Sequence, residues 1–196
     1  MTVSQAVWRS ESVLRKVALV LAGSWVVAIA AQVSIPLQPV PLSLQTLAIL
    51  MVGFTLGSRL GAAALIAYLA QGAMGLPVFA NGMNGIAFFG PTAGFLVGFV
   101  GMAWLAGLAA ERGLAKGMIG TAISALVISA LLYIPGVAWP MAVAGAAGIE
   151  AGWVGLSASS VWAGFVAPFL MGDAIKAVLA ALLVSGAWAA IKARRT

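Results

Sequence analysis

Residues 158–190, ASSVWAGFVAPFLMGDAIKAVLAALLVSGAWAA, decide the fold of this chain. At about 1.5 Å per residue the stretch is long enough to cross a hydrocarbon core of about 30 Å. Inside it, one helical turn apart, stand Asp173 and Lys176. A carboxylate and an ammonium in that environment cost several kcal/mol unless they pair or face a polar cavity, so such a pair marks a functional site by default. Positions i and i+3 share a helix face, and both heads can reach one pocket. Every other charged residue lies at a terminus or in a segment that reads as a loop.

The same signal runs along the whole chain. It is 63% hydrophobic and 7% charged, with a mean hydropathy of +1.13, whereas soluble domains carry about 25% charged residues. One integral membrane domain, 1–196, is the reading that fits. The net charge of +6 does not point to nucleic acid, because the basic residues are scattered singly or in twos and threes and form no basic face. Cys and His are absent, which removes thiol nucleophiles, imidazole bases, haem ligation by His and the usual zinc sites. Four acidic residues, Glu11, Glu111, Glu150 and Asp173, are too dispersed for a carboxylate metal cage. No cofactor and no enzymatic activity are expected.

Apolar stretches fall at about 17–33, 42–57, 60–71, 91–110, 117–135 and 158–190. The second and third are short and read either as two helices or as one interrupted span. Lys and Arg choose between these. With six spans, Arg9, Arg15 and Lys16, then Arg59, then Arg112 and Lys116, then Lys192, Arg194 and Arg195 all fall on one side, and the loops 34–41, 72–90 and 136–157 contain neither. The positive-inside rule therefore predicts six transmembrane helices with both termini cytoplasmic. Ala28-Ile29-Ala30 resembles a signal-peptide cleavage site, but the further spans downstream favour retention of the first.

The loops on the uncharged side differ in kind. Pro36, Pro39 and Pro41 make the first extended and stiff. The second is rich in Gly, with turn signals at Asn81-Gly82 and Asn84-Gly85; these Asn residues read as turn formers or as ligand contacts. The third, 136–157, reads as soft. Gln45 and Thr46 enter the second span from the Pro-rich loop, as interfacial caps or as ligand groups. Small residues spaced i, i+4 at Gly53, Gly57, Gly61, Gly94 and Gly98, and at Ala18 and Ala22 of the first span, read as helix-packing surfaces. Trp8, Trp139, Trp153, Trp162 and Trp188 sit near span ends, where interfacial tryptophans belong. Asp173 and Lys176 themselves read as an internal salt bridge, as a ligand site entered from outside, or as a proton relay lacking a second acid.

Four motifs, in order and at suitable spacing, carry a resemblance: Pro36-Leu-Gln-Pro-Val-Pro-Leu-Ser-Leu-Gln-Thr46, Gly75-Leu-Pro-Val-Phe-Ala80, Gly90-Pro-Thr-Ala-Gly-Phe95 and Gly172-Asp-Ala-Ile-Lys176. Together they resemble the BioY family, the biotin-binding S components of energy-coupling factor (ECF) transporters, over about residues 15–190. Ala93 and Phe95 stand where that family carries Gly and Tyr, and Ser43 where Thr is frequent. The resemblance implies an all-α S-component fold of six transmembrane helices in the cell membrane and a biotin pocket near the outer face under the loop between helices 1 and 2. The partners it implies are a transmembrane T component and two cytoplasmic ATPases, with Ala18 and Ala22 as the docking surface; a homo-oligomer is a further possibility.

Biotin's ureido group offers two N–H donors and one C=O acceptor, which suits Asp173 as acceptor and Lys176 as donor. Asn81, Asn84 and Thr92 are then candidates for its carboxylate, and Phe79, Phe88 and Leu76 for apolar walls. The reverse pose, carboxylate on Lys176, satisfies the same residues. Rival readings are a transporter of a different vitamin-like substrate and a proton-coupled secondary transporter working alone.

Overall fold

Glycine decides how the two short apolar stretches part. Gly57 has φ +90°, a left-handed backbone that glycine adopts without steric cost. In the computed structural model, which describes Val3 and residues 12–193, it ends one helix and starts the next with no further linker. A Cβ placed on Gly61 would lie 3.2 Å from the Cα of Gly53, so the two helices fold back face to face. The six-helix reading holds over the single interrupted span. Arg9, Arg194 and Arg195, on which part of the topology reading rests, lie outside the described residues, as do Trp8, Glu11 and the side chain of Lys192.

The long helices of the described chain are α1 (Val13–Gln32), α2 (Gln45–Leu56), α3 (Ser58–Ala73), α4 (Ala93–Glu111), α5 (Met118–Ala146) and α6, made of Ala158–Val161, Trp162–Val166 and Ala167–Ala193. Ser12 caps α1 by accepting from the Arg15 amide. Four helices, α1, α4, α5 and α6, are long and apolar enough to cross a membrane, and α2 is apolar but shorter.

α4 is the central post. In its apolar window 61% of residues are buried, against 22% for α1. Glycine permits this crowding. A Cβ on Gly94 would stand 2.2 Å from the Pro135 carbonyl oxygen, and one on Gly107 2.1 Å from the Ser58 nitrogen. At the end of α4, Glu111 accepts from the Ser58 amide at 2.7 Å and from its hydroxyl, so one helix end caps another.

The fifth stretch runs beyond the expected end near 135. Pro135 lies inside α5, which continues through Pro140 to Ala146, so part of the supposedly soft segment 136–157 is helical. Proline removes an amide donor and crowds the preceding turn. Here the chain absorbs this by widening one turn at Trp139–Val143, where the Ala144 amide donates to the Trp139 carbonyl. α6 widens in the same way at Trp162–Val166, just before Pro168.

α2 spans only about 18 Å, well short of a hydrocarbon core. The chain before it forms a strap: β1 (Ser34–Ile35) pairs antiparallel with β2 (Leu42–Ser43), and the proline-rich turn between them includes a cis Gln38–Pro39 bond. The segment after α3 holds two short 3-10 turns, Ala80–Gly82 and Gly85–Phe89. Non-helical backbone is tolerated at membrane depth where it is buried in protein or lines a cavity, and a cavity is what it lines here.

Candidate functional site

The spacing of α6 turns the charged pair inward. Phe165, Phe169, Lys176, Ala180 and Val184 are buried, while Leu170, Met171, Ile175, Val178 and Leu179 are exposed. Asp173 lies between Phe169 and Lys176 on the same stripe, and its side chain is only 13% exposed, against 8% for that of Lys176. The two heads meet with Lys176 Nζ 3.4 Å from Asp173 Oδ1.

Other helices complete the cluster. Lys176 Nζ donates to Thr46 Oγ1, on the first turn of α2, at 2.9 Å. The Tyr133 hydroxyl, on α5, donates to Asp173 Oδ2 at 2.5 Å. Each carboxylate oxygen and the ammonium therefore has a partner, as buried charge requires. The first turn of α2 rather than its middle reaches the pair.

This cluster lies in a cavity of about 300 Å³, at the small end of the range for small-molecule sites. Phe95, Leu96, Phe99, Leu132 and Phe169 supply apolar walls. Leu37 to Pro41 of the strap line it, as do Asn81, Met83 and the Gly90-Pro91-Thr92 turn. Contacts with α6 hold the strap in place: Cβ atoms on Gly164 and Gly172 would come 3.2 Å from the Pro39 ring and 3.3 Å from Leu42.

Of the residues expected at a ligand site, Asp173, Lys176, Gln45, Thr46, Phe79, Asn81 and Thr92 line this cavity, and Asn84 does not. Asn84 works as the turn former its type suggests. Its Oδ1 accepts from the Ile86 amide at 3.3 Å and its Nδ2 donates to the Gly75 carbonyl. Leu76 is exposed and Phe88 packs against the core, so neither is a cavity wall.

Gln45 lines the cavity, but its amide is engaged within the protein. Its Oε1 accepts from Ser43 at 2.8 Å and its Nε2 donates to the Tyr68 oxygen at 2.7 Å, while the Tyr68 hydroxyl donates on to the Val78 carbonyl. The chain ties the strap, α2, α3 and the following loop together. Phe79 stacks edge-on to Tyr68 and Phe88. Asn81, at φ 58°, accepts from the Ser34 hydroxyl at the base of the strap.

Trp139 is more than a belt residue, for its indole donates to the Gly90 carbonyl at 2.9 Å and pins the turn beside the cavity. Ala18 and Ala22 lie on the exposed face of α1 among Leu21, Trp25, Val26 and Ile29.

Tyr133 was not among the residues expected from sequence. Its signal was there in principle: a phenol in a long apolar run needs a hydrogen-bond partner, but nothing in the spacing says that Asp173 is that partner.

Three comparisons bear on this arrangement. The family model described as "BioY family" matches residues 2–193. The chain belongs to the BioY family. Relatives include "Biotin transporter BioY" of Thermotoga maritima, 43% identical over 96 residues, which is 48% of this chain and 53% of that protein. The protein of the same name from Rhizobium etli is 44% identical over 81 residues, 41% of this chain and 43% of its own length. The chain thus matches about half the length of these curated BioY relatives. Its fold is similar to the crystal structure at 2.1 Å of the S-component for biotin from an ECF-type ABC transporter. That likeness has a TM-score of 0.72 at 24% identity, covering 95% of this chain and 96% of the other. The members named here are transporters, and this BioY-family chain is a multi-pass membrane protein of the S-component fold.

Proposed function

We propose that this chain captures biotin as the substrate-binding subunit of a vitamin uptake transporter, with no catalytic step of its own. The observation that carries the reading is the Asp173–Lys176–Thr46 cluster in an otherwise mostly apolar cavity. Its summed formal charge is zero, so it suits a neutral head that both donates and accepts. Biotin's ureido ring is such a head: one of its N–H groups donates to Asp173 and its carbonyl accepts from Lys176. The valeryl carboxylate then lies toward the strap, with Asn81 and Thr92 beside it, and the fused rings lie against Phe95, Phe99 and Phe169.

The cavity opens toward the outer face, both termini are cytoplasmic, and the chain resides in the cell membrane. Release to the inside is driven by two cytoplasmic ATPases acting through a transmembrane T component that docks on the α1 face bearing Ala18 and Ala22. The small, exposed side chains of Ala18 and Ala22 support close helix approach at that point of the face. Reporters fused after Leu114 and Thr196 read out on the cytoplasmic side if the topology holds.

The test is biotin binding to the purified chain in detergent, with lipoate, thiamine and riboflavin as competitors. Asp173→Asn and Lys176→Ala each abolish high-affinity binding, a loss of roughly 10- to 100-fold that leaves weak binding measurable, while membrane insertion is unchanged. Parental binding by both variants refutes the site. Uptake that follows collapse of the proton gradient rather than ATP depletion refutes the ATPase-driven mechanism in favour of a proton-coupled carrier.

A further inference from the structure

Tyr133 stands where none of the expected site residues accounts for it. It is one of two tyrosines in the chain, and it faces the cavity from α5 with its ring edge-on to Phe95, centroids 6.2 Å apart. Its hydroxyl meets Asp173 Oδ2 at 2.5 Å, on the carboxylate oxygen that Lys176 leaves open. An ionised carboxylate only accepts, so the phenol proton is committed to Asp173. Two consequences follow. The carboxylate is clamped between donors from two helices and cannot swing, and the phenol oxygen keeps lone pairs but no proton to offer the cavity.

We infer that Tyr133 is a specificity-determining positioning residue, which acts through Asp173 to make this side of the site accept hydrogen bonds and so selects a ligand head that presents an N–H donor there. The inference rests on the biotin reading and extends it: Lys176 and Thr46 serve the carbonyl of the head, and Tyr133 with Asp173 enforces one neighbouring N–H. A head methylated at that nitrogen loses the donor and sets an apolar group against a buried carboxylate, and sites built around hydrogen bonds reject such analogues far more strongly than apolar pockets do.

The experiment compares biotin with the two biotin analogues methylated on one or the other ureido nitrogen, binding to the parent, Tyr133→Phe, Asp173→Asn and the double variant in detergent. Phenylalanine keeps the ring against Phe95, and thermal unfolding followed by tryptophan fluorescence confirms that the variants fold. The parent rejects at least one methylated analogue strongly. Tyr133→Phe weakens biotin by roughly 10- to 100-fold, the range for hydrogen bonds to charged groups, and narrows the gap between biotin and that analogue. In the Asp173→Asn background the tyrosine change has little further effect, because the two residues act as one unit.

If Tyr133→Phe folds and keeps parental biotin affinity and discrimination, the inference is overturned while the biotin reading stands. Additive effects of the two substitutions overturn the route through Asp173. A folded parent that binds no biotin overturns the biotin reading and the inference together.

Discussion

Removing one member of the buried pair is expected to do more harm to the fold than removing both. Lys176→Met keeps the length of the side chain and deletes the ammonium, leaving Asp173 with Tyr133 as its remaining neighbour in the cluster. The pair is separated by 3.4 Å, and the two side chains are 8% and 13% exposed, so water from the cavity replaces the missing partner only in part. Breaking a buried pair costs about 3–5 kcal/mol because it strands a charge. Asp173→Asn in the same chain removes that charge, and the remaining penalty is that of imperfectly paired polar groups, about 1–3 kcal/mol. The double variant is therefore expected to be more stable than Lys176→Met by about 2 kcal/mol, a non-additivity well above the few tenths seen for independent sites. Biotin binding behaves differently. The single variants lose roughly 10- to 100-fold, from charge-assisted bonds of about 1.5–3 kcal/mol at tenfold per 1.4 kcal/mol, and the double variant recovers none of it. Unfolding in mixed micelles, read by tryptophan fluorescence, and titration with labelled biotin measure the two quantities on the same samples. A double variant no more stable than Lys176→Met refutes the reasoning about stranded charge. Recovery of binding in the double variant refutes the role of the charges as ligand contacts.

Two other substitutions test how the walls of the cavity and the bundle are held. Tyr68→Phe removes the donor to the Val78 carbonyl and the acceptor for Gln45, so it is expected to lower stability by about 1–3 kcal/mol in the same unfolding measurement, with the Gln45 amide left buried and unpaired. Gly107→Ala would place a methyl 2.1 Å from the Ser58 nitrogen and is expected to destabilise by at least 1–3 kcal/mol through overpacking, whereas Gly101→Ala, with open space around it, stays close to the parent. Equal thermal stability of these two alanine variants counts against the packing described for α4.

Much of the architecture was legible because a bilayer imposes strong rules. Long apolar runs have few alternatives to helix, and the spread of Lys and Arg separates α2 from α3 where the left-handed Gly57 divides them. The ends of helices were less legible. Proline at 135 and 140 reads as a stop in isolation, yet α5 absorbs both by widening a turn against α4, and that depends on Gly94 leaving room for the Pro135 carbonyl. Asn84 shows the same limit at the site. Its residue type suits a turn and a ligand equally, and only the positions of Gly75 and Ile86 assign it to the turn.

What the sequence determined by itself is that this chain lies in a membrane and carries one pair of charges there that demands partners, since composition and i, i+3 spacing follow from local chemistry alone. Tertiary structure decided who those partners are. Thr46 reaches Lys176 across 130 residues and Tyr133 reaches Asp173 across 40, because the strap takes the first residues of the second span and the first turn of α2 packs beside α6. No local rule encodes those pairings; they result from how six helices and one proline-rich strap fill the same volume.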